Sequence, residues 1–142
     1  MSAIEVGPVI ESTKGRFVLS DQVEFIDVYV SRFFYFQEQV KIFHWNAADY
    51  GKHKALDGLY DELLEASDKF VESYIGIYDK KPSAVKSTEI LTNGNAEKFL
   101  SDMRYEVGGW RHDPEVANTA LDNIVQDLEA HIANAIYLYR LK

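Results

Sequence analysis

Four side chains within one short stretch of this chain, His53, Asp57, Asp68 and Glu72, are of types that hold metal ions, and they fall as two pairs at i, i+4. Residues four apart on a helix are neighbours on one face, so each pair can grip a single ion. On a wheel of about 100° per residue with His53 at zero, Asp57 falls near 40°, Asp68 near 60° and Glu72 near 100°. The four share a stripe but not a point. Asp57 and Asp68 are eleven residues apart, roughly 16 Å at the helical rise, too far for one ion to bridge. Two copies of this helix, antiparallel about a two-fold axis, bring the His53–Asp57 end of one against the Asp68–Glu72 end of the other. An isologous contact of that kind creates two equivalent sites. His44 lies just before the turn that leads to His53 and reaches the same end. The chain has no cysteine, so the donors are imidazole and carboxylate, a set that suits iron, zinc or manganese rather than copper(I).

The same stripe carries Leu64, Val71 and Ile75. A solvated helix face does not interleave large aliphatics with its acids, so a second buried surface is expected here, a contact with another copy of the chain. The acids Asp61, Glu62 and Glu65 lie to one side and fit a solvated face.

Positioning these residues requires long helices. Residues 1–19 contain Gly7, Pro8 and Gly15 without a helical period and read as an extended N-terminal arm, followed by a four-helix-bundle domain over 20–142. A first helix is expected over 20–46, capped by Ser20, with Phe25, Val28, Tyr29, Phe33, Phe36, Val40 and Phe43 inward. A second over 50–79 presents Leu56, Leu59, Leu63, Phe70 and Tyr74. Residues 80–94 contain Pro82 and Asn93-Gly94 and read as a connector. A third helix over 95–110 carries Phe99, Met103, Val107 and Trp110. Asp113-Pro114-Glu115 has the form of a helix start, opening a fourth over 113–141 with Leu121, Ile124, Leu128, Ile132 and Tyr139 inward. The fold expected is all-α. A fifteen-residue extended connector reaches roughly 50 Å, enough to run the length of the bundle, so the crossover falls between helices 2 and 3 as in ferritin-like bundles.

Composition narrows the function classes. The net charge is −8 and the pI about 4.9, and no block of Lys and Arg offsets this, so direct binding to duplex DNA is not expected. No apolar run approaches the roughly 20 residues of a membrane span, and the N-terminus lacks the pattern of a secretory signal. With the absence of cysteine, this fits a cytoplasmic protein.

The segment His44-Trp45-Asn46, followed by His53 and Asp57 and then by Asp68 and Glu72, resembles the signature of Dps-type mini-ferritins, members of the ferritin-like superfamily. The resemblance is good over residues 23–78 and looser beyond, where Thr119–Leu141 is similar in pattern to the family's last helix. It implies a di-iron-type ferroxidase site between two-fold-related subunits, with His44, His53, Asp57, Asp68 and Glu72 as ligands. Fe(II) oxidation by peroxide or oxygen, iron storage in a homo-oligomer such as a dodecameric shell, and protection from oxidative stress follow from the same likeness. The turn between His44 and His53 is shorter than the family's, Ser73 stands where an Arg commonly follows the Glu, and there is no basic tail. In this compact form the chain resembles a shortened Dps-like branch encoded by bacteriophages, which would place it in a bacterial or infected host cell.

Other histidines support simpler readings. His112 and His131 suit surface or structural roles, and the Asp127–His131 pair at i, i+4 is common on exposed helices. The Glu-x-x-His motif of classical ferritins does not occur. The alternative to an iron oxidase is a non-catalytic helical assembly or partner-binding protein with a structural metal or none.

Overall fold

The computed structural model describes residues 24–141, together with the backbone of Val9–Glu11 and Phe17–Leu19. Its body is four helices: α1 (Phe25–Trp45), α2 (Tyr50–Tyr78), α3 (Ala96–Trp110) and α4 (Ala120–Arg140). Within the N-terminal arm, β1 (Val9–Glu11) and β2 (Phe17–Leu19) pair antiparallel, with Val9 opposite Leu19. The rest of the arm, and the expected cap at Ser20, lie outside the described residues. Among the described residues no helix is long and apolar enough to cross a membrane.

Helix α1 starts later than its apolar period suggests. Glu24 is extended and its N–H donates to the Asp27 carboxylate at 2.9 Å, which satisfies one of the donors left open at a helix start. Phe25, expected inward, is 46% exposed in that first turn. From Ile26 on the stripe behaves as expected, and Val28, Tyr29, Phe33, Phe36, Val40 and Phe43 are buried. Helix α2 is capped by Asp49, whose side chain accepts from the Lys52 N–H, and ends on Asp79 in the left-handed region. Its five expected core residues are all buried.

Helix α4 is shorter than its sequence signal. Asp113 O accepts from the Val116 and Ala117 N–H groups, so a single turn does form. It ends where Asn118 takes a positive φ of 61°, and the helix proper begins at Ala120, with Thr119 Oγ1 accepting from the Leu121 N–H. The Asp113 carboxylate does not cap this turn because it accepts the Tyr29 hydroxyl at 2.6 Å.

Contacts along the bundle give the helix directions. Tyr29 near the start of α1 meets Phe70 and Tyr74 near the end of α2 and Trp110 at the end of α3. Phe43 near the end of α1 meets Phe99 near the start of α3. Arg140, closing α4, pairs with Glu97, opening α3. So α1 and α4 run one way, and α2 and α3 the other.

Between α2 and α3 the chain is tied to α1 at successive heights. The Ser83 and Ala84 N–H groups donate to the Asp27 carboxylate, and the Lys86 N–H donates to Ser31 Oγ. Gln39 exchanges two bonds with Leu91, and Asn46 donates to Thr92 O. Buried polar groups must be paired. Asp27, Ser31 and Gln39, all buried, are paired by this segment.

Candidate metal centre

The corner between α1 and α2 is closed by the two histidines. His44 Nδ1–H donates to His53 O at 2.9 Å, and His53 Nδ1–H donates to His44 O at 3.0 Å. The rings stack with centroids 3.8 Å apart. Carbonyl oxygens only accept, so each ring carries its proton on Nδ1, and in the neutral imidazole each Nε2 lone pair is left free. Fixing one ring nitrogen on a backbone carbonyl is the usual way a metal-binding imidazole is oriented. Helix ends produce this geometry: His44 O belongs to the last turn of α1 and lacks a full intrahelical partner, while His53 sits in the first turn of α2, directly across the short link.

Asp57, one turn further along α2, faces the same corner. Its Oδ1 is 3.9 Å from His44 Nε2. That is too long for a hydrogen bond and about half an ångström beyond the roughly 3.4 Å that two donors of one tetrahedral ion keep at ordinary bond lengths. Its other oxygen lies 3.8 Å from Lys54 Nζ, a partner the motif does not announce and which only the i, i+3 spacing signals. His44 is buried, His53 and Asp57 half-buried, and Trp45 beside them is 64% exposed.

Asp68 and Glu72 lie near the other end of α2 and are exposed. Among the described residues neither has an ion-pair partner, and no three His, Asp or Glu side chains of one chain gather as a metal site. His44 stands next to both His53 and Asp57 without the three closing into a metal site, and Asp68 and Glu72 stand apart, as the eleven-residue gap requires. Leu64, on the same face, is 40% exposed. Val71 and Ile75 are half-covered, and Val71 packs partly against the core. On α1, Phe34 is 49% exposed, and the Lys41 ammonium lies over the rings of Trp45 and Tyr60.

Of the two histidines outside this corner, His131 has its own partner. His131 Nδ1 lies 2.6 Å from Glu62 Oε2, tying α4 to α2. Its expected neighbour Asp127 is exposed.

Over residues 44–139 the chain matches the model of a family of unknown function, DUF5856, and it belongs to that family. The match begins at His44 and takes in all five residues discussed here. No curated protein and no solved structure matches the chain.

Proposed function

We propose that this DUF5856 member is a Dps-like mini-ferritin that takes Fe(II) as substrate and oxidises it with peroxide or oxygen. The site is shared: His44, His53 and Asp57 come from one copy of the chain, and Asp68 and Glu72 from a two-fold partner in a homo-oligomer. Iron sequestration and protection from peroxide follow from that chemistry. The carrying observation is the reciprocal Nδ1–carbonyl pairing of His44 and His53, which turns both Nε2 atoms away from that pairing and leaves the one of His44 3.9 Å from Asp57. A pair of histidines serving only to close the corner does not need a carboxylate beside it. The connector that follows α1 and the parallel directions of α2 and α3 support a ferritin-like bundle.

The residues of this chain do simple things in such a reaction. Imidazole nitrogens and carboxylate oxygens bind Fe(II), and the carboxylates favour the higher charge of Fe(III), so binding assists oxidation. Each Fe(II) gives up one electron. The O–O bond of peroxide takes two, with protons from solvent, and leaves as water.

The test is anaerobic Fe(II) addition followed by peroxide, read by ferric absorbance, with the oligomeric state measured in the same buffer. Saturable oxidation faster than in protein-free buffer is expected. Oxidation no faster than in buffer, from a protein that is fully dimeric, would leave the histidine pair as a corner clamp in a non-catalytic assembly.

A further inference from the structure

Tyr29 is 1% exposed, and its phenol donates to the Asp113 carboxylate at 2.6 Å, the short range of charge-assisted O–H···O⁻ bonds. Burial, with Asp113 beside it, pushes the phenol's pKa far above the ordinary value, so it stays protonated across the usable pH range. Burial also pushes the Asp113 carboxyl up, which makes its carboxylate a stronger base than usual.

This pairing bears on oxidation. A phenol that loses an electron becomes a strong acid, and it gives up that electron readily only where a base stands ready for the proton. Trp110 provides the contrast. Its ring centroid lies 5.2 Å from that of Tyr29, but its Nε1–H is buried with no partner among the described residues. An electron hole on Trp110 has no base to take its proton, whereas one on Tyr29 does. Phe70 lies 4.8 Å from Tyr29 and sits between Asp68 and Glu72 in the sequence of α2. The phenol is thus separated from that half of the proposed iron site by about one helix diameter, roughly 10 Å.

We propose that Tyr29 and Asp113 form an internal one-electron redox site. A hydroxyl-radical-class oxidant, formed when peroxide meets Fe(II) on the outer face of α2, takes an electron from Tyr29 across that helix and leaves as hydroxide. The phenolic proton passes to Asp113, giving a neutral phenoxyl radical and a carboxylic acid. The source of the oxidant rests on the mini-ferritin reading; the redox pair itself does not.

Freeze-quench electron paramagnetic resonance on the full chain tests this in two arms. One uses Fe(II) and peroxide, the other a photogenerated ruthenium(III) polypyridyl oxidant without iron. A tyrosyl signal is expected in both. It should be lost in Tyr29→Phe while the helical content and the rate of Fe(II) oxidation persist, which sets aside the exposed tyrosines. In Asp113→Asn, which keeps the shape but not the base, the phenoxyl yield should drop sharply in both arms. A signal unchanged in Tyr29→Phe, or no tyrosyl signal in the photochemical arm, overturns the redox site. Fe(II) oxidation without a radical, beside a positive photochemical arm, overturns the coupling to iron. Absence of Fe(II) oxidation sinks the mini-ferritin reading instead, and the photochemical arm still decides the role of Tyr29.

Discussion

Gln39 of α1 and Leu91 of the long connector bond each other twice. Gln39 Nε2 donates to Leu91 O at 2.8 Å, and the Leu91 N–H donates to Gln39 Oε1 at 2.9 Å. The side-chain amide, 1% exposed, thus acts as a short piece of sheet partner for a segment that belongs to no sheet. Gln39→Leu keeps the volume and strands both backbone groups of Leu91. A loss of about 1 kcal/mol is expected, the net worth of a typical hydrogen bond, since Leu91 is half exposed and water can take up part of what it loses. Urea unfolding measures it. A change below about 0.5 kcal/mol, the range of ordinary surface substitutions, would mean that the connector is held elsewhere.

Asp57→Asn separates metal binding from stability. The residue is half-exposed and its nearest cation is the exposed Lys54, so unfolding should shift by no more than about 0.5 kcal/mol. The initial rate of Fe(II) oxidation should fall on the order of tenfold or more, as losses at metal sites commonly do. Stopped-flow absorbance reads the rate, and an unchanged rate would remove Asp57 from the site.

Leu64→Lys tests the shared interface. Leu64 is the best-exposed aliphatic of the ligand-bearing stripe, whereas Val71 packs partly against the core and would confuse interface with fold. Lysine at 64 should leave the monomer folded and place an unpaired ammonium in the contact, which is costly when buried. Sedimentation should show dissociation at concentrations where the parent is associated, with Fe(II) oxidation lost over the same range. A monomeric variant that oxidises iron as fast as the parent would place the whole site in one chain.

The pH dependence has two opposed parts. Burial raises the Asp113 carboxyl, and burial together with the charge of Asp113 raises Glu115. Between the ordinary and the raised values the folded chain holds more protons than the unfolded one. Their contribution is therefore fully present below the ordinary values of 3.8 and 4.5 and is lost as pH rises through the folded values. Asp27 behaves in the opposite sense. Burial alone would raise it, but N–H groups of Glu24, Ala84 and Ser83 and the Ser83 hydroxyl outweigh burial and hold it low. Its contribution is present above 3.8 and is lost as pH falls through the depressed value. Glu115→Gln should flatten the decline in stability as pH rises above the ordinary 4.5, and Asp27→Asn should make the acid limb shallower. Thermal unfolding across pH reads both.

Much of this molecule was legible without coordinates. A 3.6-residue period marks which face of each helix is buried, because burial acts on whichever side chains point inward. That is why the stripes of α2 and α3 stood almost residue for residue. The i, i+4 pairs and the eleven-residue gap likewise followed from helical rise alone, and so did the conclusion that one ion cannot join Asp57 to Asp68.

Other features depended on groups far apart in sequence. Asp113-Pro114-Glu115 has the local form of a helix start, yet the Asp113 carboxylate is taken by Tyr29, 84 residues away, and α4 begins at Ala120. Nothing local could rank those two partners. Asp27, Ser31 and Gln39 look like polar interruptions of an apolar helix until the connector lies down beside them and supplies their partners. The tautomers of His44 and His53 were equally out of reach, because each is set by a backbone carbonyl of the facing helix end. Local sequence determines periodicity and propensity; which buried polar group meets which partner is a contest between distant elements, and packing alone settles it.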